Sequence, residues 1–296
     1  MTRLIAIVGP TATGKSRLAL DMAERLGAHI LSVDSMQVYR GMDIGTAKPT
    51  RQEQARVPHH MIDVAEPEDP YTVADFRAAA REALRSVDAP TVLIVGGSGL
   101  HFRSVVDPMR FRPTDARLRS ELERARPEAL VRELVTADAR AGEFVDLANP
   151  RRVIRAVETL RLEGTTPSRL ALSPERDAYE SYVPEIEFIG IALDRPDLEQ
   201  AVDDRLAAMR SRGFLEEVQR LAPRLGPTAS QAVGYRQLLD LISGRIDEDQ
   251  AWEEARRATL RLARRQRTFF RRDPRLRWFD ATRPDLYDAV RQEIDL

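Results

Sequence analysis

Residues 9–16 read Gly-Pro-Thr-Ala-Thr-Gly-Lys-Ser, so that Gly9, Pro10, Thr11, Ala12, Thr13, Gly14, Lys15 and Ser16 fill a G-x-x-x-x-G-K-[ST] pattern. This spacing serves phosphate capture. A glycine-rich turn lets backbone N–H groups converge on phosphate oxygens. The lysine reaches the terminal phosphates, and the hydroxyl after it is placed to hold Mg²⁺. Lys15 and Lys48 are the only lysines among 46 basic residues. A basic residue placed at random here would have been arginine.

Such a loop works only between a strand and a helix. Leu4 to Val8 is a short apolar run, and Ser16 to Leu26 carries apolar residues at 18, 19, 22, 23 and 26, which is helical spacing. A second strand over 28–33 ends at Asp34. In a parallel sheet that end is where ligands bind. On position alone Asp34 has three open roles: a metal-holding carboxylate, a general base toward an acceptor, or a turn former. Gly41 to Pro49, with two glycines and a proline, reads as a shaped loop. Gly96-Gly97-Ser98-Gly99 closes a strand over 91–95 and permits a close backbone approach. The four histidines, at 29, 59, 60 and 101, have no metal-ligand spacing.

Arginine supplies a second kind of chemistry. Arg151 and Arg155 are four apart and share one helix face. From Arg256 to Arg277 ten arginines stand against a single acid, Asp273, and Phe269 and Phe270 are interleaved with them. Arginine with aromatics suits phosphate contacts and base stacking, whereas an ordinary charge run is a solvated face.

The remaining pattern places these residues. Short helix and strand segments are expected over 52–55 and 60–64, and Thr72-Val73-Ala74-Asp75 opens a helix with a capping box. Alternating strands and helices with continuous apolar strands predict an α/β fold, a parallel sheet covered on both faces by helices. From 114 to 180 the chain is charged and helical, with helices over 117–124, 128–136 and 149–163. A strand over 187–193 then returns, followed by helices at 197–222, 230–243 and 247–271, a strand at 276–279 and a helix at 285–294. The expected organisation is a core of 1–113 with 181–296, interrupted by a small helical domain at 114–180. Composition is that of a soluble globular protein, 43% hydrophobic and 31% charged, with no cysteine and a net charge of −1. No apolar run approaches the ~20 residues of a membrane span, and no cleavable leader is seen. A cytoplasmic location is expected.

Taken together, GPTATGKS at 9–16, SVDSMQVYRGMDIGTAKP at 32–49, ADFR at 74–77, GGSGL at 96–100, NPRRVIRAVE at 149–158 and VGYRQ at 233–237 resemble the bacterial tRNA dimethylallyltransferases, in that family's order. The resemblance implies a P-loop NTPase-like core that uses dimethylallyl diphosphate and Mg²⁺ to alkylate N6 of adenosine 37 beside the tRNA anticodon, in a monomer without membrane contact. It implies that the loop holds diphosphate rather than ATP, with Ser16 at the metal. It assigns catalysis to Asp34, Lys15 and Arg205, with Asp34 as the acceptor of the N6 proton. It assigns tRNA contact to Asp34, Ser35, Met36 and Gln37, to Ser98 and Arg119, to Arg151, Arg152, Val153, Ile154 and Arg155, and to Gln231, Ala232, Val233, Gly234, Tyr235 and Arg236. The inserted helical domain is thereby expected on the anticodon arm. The chain departs from the family at Ser98, usually Thr, at His101, usually Tyr, and at Arg151, often Gln. A small-molecule kinase shares the loop and Asp34 but leaves the arginines and the 41–49 loop unexplained. A non-catalytic RNA-binding module predicts RNA binding without a covalent product.

Overall fold

The computed structural model describes residues 2–173 and 188–294. These form two compact units, one of residues 2–108 with 188–294 and one of residues 109–173. The second unit therefore begins at 109, earlier than the expected 114.

The larger unit is built on six strands, β1 (Arg3–Val8), β2 (His29–Ser32), β3 (His59–His60), β4 (Thr91–Gly96), β5 (Phe188–Asp194) and β6 (Leu276–Asp280). All neighbouring pairs are parallel and the order is β3-β2-β4-β1-β5-β6. Its helices before the second unit are α1 (Lys15–Leu26), α2 (Arg51–Arg56), α3 (Val73–Ser86) and α4 (Gly99–Val106). β1 explains the two-sided covering. Leu4, Ala6 and Val8 face one core with Phe76, Phe102 and Phe270, while Ile5 and Ile7 face another with Leu18, Met22 and Val290. Side chains alternate across a strand, so a strand apolar at every position must be covered on both faces. β1 and β4 are neighbours, yet the chain leaves β1 toward the β3 edge and leaves β4 toward the β6 edge. Between two such strands a crevice opens at their C-terminal ends, where open α/β sheets bind ligands.

The smaller unit holds α5 (Ala116–Arg124), α6 (Pro127–Ala137), α7 (Ala141–Phe144), α8 (Pro150–Glu163) and α9 (Pro167–Ala171) around Leu122, Leu130, Leu134, Ala141, Val153 and Val157. The larger unit then continues with α10 (Leu198–Ser211), α11 (Phe214–Leu221), α12 (Tyr235–Ile242), α13 (Glu248–Phe270) and α14 (Leu286–Glu293).

Three expectations change. The strand expected over 60–64 stops at His60, because Met61 and Asp63 adopt left-handed φ of 64° and 54°, which no strand accommodates. The helix expected over 197–222 is two helices, broken where Gly213 takes φ 88°. The helix expected over 230–243 starts only at Tyr235; a short 3-10 helix over Ala229–Gln231 precedes it, and 232–234 form a turn that faces the ligand edge.

The 41–49 loop is shaped from behind by Glu217 on α11. This carboxylate is 3% exposed. It accepts from the N–H groups of Asp43 (3.0 Å), Ile44 (2.8 Å) and Gly45 (3.1 Å), and from the Tyr235 hydroxyl at 2.5 Å. Gly45 has no room for a side chain, since a Cβ there would lie 2.1 Å from the Phe214 ring. Lys48 closes the same loop by donating to the Tyr39 carbonyl and to the carboxylates of Asp43 and Asp63. Glu217→Ala leaves several buried donors unpaired at about 1–3 kcal/mol each. It is expected to lower stability by ~3 kcal/mol or more, read from the denaturant midpoint, with a smaller loss for Glu217→Gln, which keeps an acceptor oxygen.

Candidate active site

The phosphate loop leaves β1 through Gly9, whose φ of 130° and whose approach to the Leu193 carbonyl, 2.3 Å from where a Cβ would sit, admit glycine alone. The loop then wraps back on itself. The Thr13 hydroxyl donates to the Pro10 carbonyl at 2.9 Å, and the Lys15 ammonium donates to the same carbonyl. The Thr11 N–H is held by the Gln266 side-chain oxygen at 2.8 Å, which ties the loop to α13. Gln266 sits inside the arginine-rich run, and nothing in its local sequence marks it as a partner of the phosphate loop.

Asp34 stands two residues beyond β2. One carboxylate oxygen accepts the Met36 N–H at 2.8 Å, which forms a side-chain-closed turn. The other oxygen has no hydrogen-bond partner among the described residues. Behind it, the Ser32 hydroxyl donates to Gln37 at 2.8 Å, and the Gln37 amide donates to the carbonyls of Thr46 (3.2 Å) and Ala47 (3.3 Å). Gln37 is therefore a strut between the end of β2 and the 41–49 loop.

A cavity of about 840 Å³ opens at the C-terminal end of the sheet. Thr11 to Ser16, Asp34 to Gln37, Ser98, Arg205 and 231–235 all contribute to its wall. Gly9 and Pro10 contribute no wall, and Arg236 lines a neighbouring depression with Asp240 and Arg245. The electrostatics are those of an anion site. Burial, and then the nearby Arg205 guanidinium, pull the Lys15 ammonium down to about 7, while Asp34 opposes the shift. Arg205 is likewise pushed down by burial, again with Asp34 opposing. Two cations that destabilise each other's charge favour a multiply charged anion between them.

Two family models match, "IPP transferase" over residues 37–273 and "Isopentenyl transferase" over residues 2–64. A tRNA dimethylallyltransferase of Bifidobacterium longum is 44% identical across 97% of this chain and 89% of its own length. One of Acidothermus cellulolyticus is 42% identical across 100% of this chain and 94% of its own. The chain belongs to the tRNA dimethylallyltransferase family. The fold agrees. The crystal structure of a tRNA isopentenylpyrophosphate transferase from Bacillus halodurans superposes with a TM-score of 0.69 at 31% identity, covering 99% of this chain and 97% of that one.

Within this member of the family the structure separates residues that face the cavity from residues that hold the frame. Tyr235 is fully buried and bonded to Glu217, so its side chain supports the 41–49 loop. Val153 is 2% exposed in the core of the smaller unit and offers no side chain to a partner, and Ile154 packs against the same core. Arg119 and Arg155 in that unit converge on Glu158, which is wholly buried, each at 2.6 Å. Arg155 also donates to the carbonyls of Pro113 and Arg112.

The arginine run from 256 to 277 is also less free than its local sequence suggests. The balancing acids come from elsewhere in the chain. Arg256 pairs with Asp203, Arg264 with Glu199, Arg267 and Arg271 with Asp194, Arg275 with Asp107 and Asp273, and Arg277 with Glu293, while Arg257 pairs with Glu253 on its own helix. Arg261, Arg265 and Arg272 make no ion pair among the described residues. Arg265 lines the cavity.

Proposed function

We propose that the protein transfers the dimethylallyl group of dimethylallyl diphosphate to N6 of adenosine 37 in tRNA, next to the anticodon, giving N6-dimethylallyladenosine and diphosphate. The observation that carries this reading is one cavity in which an unpartnered carboxylate oxygen of Asp34 stands near two cations, the buried Lys15 and the half-buried Arg205. An exocyclic adenine amine is a weak nucleophile, and a primary allylic carbon is a good electrophile once its leaving charge is neutralised. N6 attacks the first allylic carbon while the carbon–oxygen bond to diphosphate breaks, and Asp34 takes the N6 proton. Lys15, Arg205 and the loop amides stabilise the departing anion. The base must leave the anticodon stack to enter the cavity, as for other base-modifying enzymes.

Mg²⁺ belongs to the same reading. The Ser16 hydroxyl lines the cavity, and no group of three or more His, Cys, Asp or Glu able to hold a metal occurs among the described residues. That donor set fits a cation which takes most of its ligands from phosphate and water. Bound there by Ser16, it adds positive charge to the leaving diphosphate. Among the described residues no helix is long and apolar enough to cross a membrane, and action on cytoplasmic tRNA by a monomer is part of the proposal.

Incubation with dimethylallyl diphosphate, Mg²⁺ and bulk tRNA tests it directly. The expected product is a nucleoside heavier than adenosine by one dimethylallyl group, identified by mass after digestion. Unmodified tRNA alongside ATP turnover would move the protein to the kinases.

The arginines sort into two classes for tRNA binding. Arg152 and Arg265 are exposed and make no ion pair among the described residues. Each replacement by Ala is expected to reduce the salt dependence of tRNA binding by ~0.7–0.9 in slope for every phosphate no longer neutralised. Arg155→Ala is expected to act differently, by leaving Glu158 with a single arginine partner, and to show first as a loss of stability. Binding across a salt series, beside a thermal melt, separates the two classes.

A further inference from the structure

Ser98 occupies the N-cap position of α4, but its hydroxyl does not cap that helix. A serine there ordinarily accepts from an amide of the first turn. Its Oγ lies instead 2.7 Å from Nδ1 of His101, within the first turn of the same helix. His101 sits behind Ser98. Its ring meets Phe76 edge-on with centroids 4.7 Å apart, and it contributes nothing to the cavity wall, whereas Ser98 and Asp34 both do. The Ser98 hydroxyl thus has a fixed partner on its inner side and opens to the cavity on the other.

The chemistry of the pair limits what Ser98 can offer. Burial holds the His101 imidazole below its ordinary pKa, with Asp34 opposing, so the ring is neutral near pH 7. A neutral imidazole has one nitrogen that donates and one that accepts, and a hydroxyl has one proton and two lone pairs. With the proton on Nε2, the tautomer intrinsically preferred by imidazole, Nδ1 takes the only proton of Ser98. The hydroxyl then turns lone pairs alone toward the cavity.

We infer that His101 is a positioning residue that makes Ser98 an acceptor, so that Ser98 and Asp34 together read the two protons of an exocyclic amine. The inference rests on the proposed entry of adenine N6 beside Asp34. It supplies a reason for selecting a 6-amino purine. A 6-oxo purine would set its carbonyl lone pairs against those of Ser98 and Asp34, and a purine without a substituent at that carbon would leave both acceptors unanswered.

The test uses the full chain with inorganic diphosphate, Mg²⁺ and anticodon stem-loops carrying adenosine, purine riboside or inosine at the target position. Wild type is expected to bind the adenosine loop best. His101→Phe keeps a ring against Phe76 but removes the acceptor, and should lower the adenosine-over-purine preference by about 2–10-fold, the size of one net hydrogen bond. Affinity for the purine loop should not change. His101→Asn puts an acceptor oxygen close to the place of Nδ1 and should retain the preference. Ser98→Ala should lose it to the same extent, and adding His101→Phe to Ser98→Ala should change nothing further. An unchanged preference in His101→Phe or in Ser98→Ala overturns the inference, as does a protonated Nδ1 in the nitrogen NMR spectrum of wild type. If wild type shows no preference for adenosine and makes no alkylated product, the failure lies in the proposed function. If product forms but the variants keep the preference, it lies in the role of His101.

Discussion

Lys15→Ala is expected to cut turnover by ~10² or more, the scale of losing one preorganised electrostatic donor at a developing negative charge. Lys15 is 8% exposed and seated on the Pro10 carbonyl at the mouth of the phosphate loop. Removing its side chain leaves the half-buried Arg205 without its cationic neighbour in the cavity wall. The fold should persist, because Lys15 contributes no apolar packing that α1 needs; Leu18, Ala19 and Met22 hold that helix on the sheet. A pH signature accompanies the loss. In the empty site Lys15 is pulled to about 7 by burial and by Arg205, so below that pH it is charged and above it neutral. A diphosphate anion prefers the charged form. Donor affinity should therefore fall as pH rises from about 6 to 8.5, with proton uptake on binding near neutral pH. Calorimetry in two buffers of different ionisation heat reads that uptake, which should vanish in Lys15→Ala. Near wild-type turnover in this variant would remove the loop from the mechanism.

Much of this site was legible in the sequence because local rules govern it. The loop at 9–16 is recognisable from eight consecutive residues, and its strand and helix from periodicity alone. Thr72 and Asp75 form the capping box their spacing predicts. What the sequence concealed depends on partners far away along the chain. Glu217 shapes the 41–49 loop across more than 170 positions, and Gln266 reaches Thr11 across 255. Nothing near Glu217 or Gln266 in the sequence announces these contacts. The arginine run misled for the same reason. The segment 256–277 holds one acid, while Asp194, Glu199, Asp203 and Asp107 arrive through the fold. Backbone conformation was the other blind spot. Met61 and Asp63 take left-handed angles that no side-chain pattern foretells, so the third strand ended early.

Asp34→Asn separates the roles that position alone left open for this residue. As the base that accepts the N6 proton, Asp34 should lose ~10²–10⁴ in the chemical step when its carboxylate becomes an amide. The geometry makes the substitution a clean one. The oxygen that accepts the Met36 N–H at 2.8 Å has a counterpart in asparagine, so the turn after β2 survives. The unpartnered second oxygen becomes an amide group that donates where an acceptor is needed. Diphosphate binding and most tRNA affinity should persist. A turn former would tolerate the change, because asparagine closes the same turn. A metal ligand would respond to concentration, and excess Mg²⁺ would partly restore the rate. Single-turnover rates on prebound tRNA across a Mg²⁺ titration distinguish the three. A large loss without rescue is the expected result. Lys15 and Arg205 both sense the Asp34 charge, which sets the carboxylate beside the anion site. Its free oxygen is then available to the incoming amine, and a rate near wild type would end the assignment of Asp34 as the base.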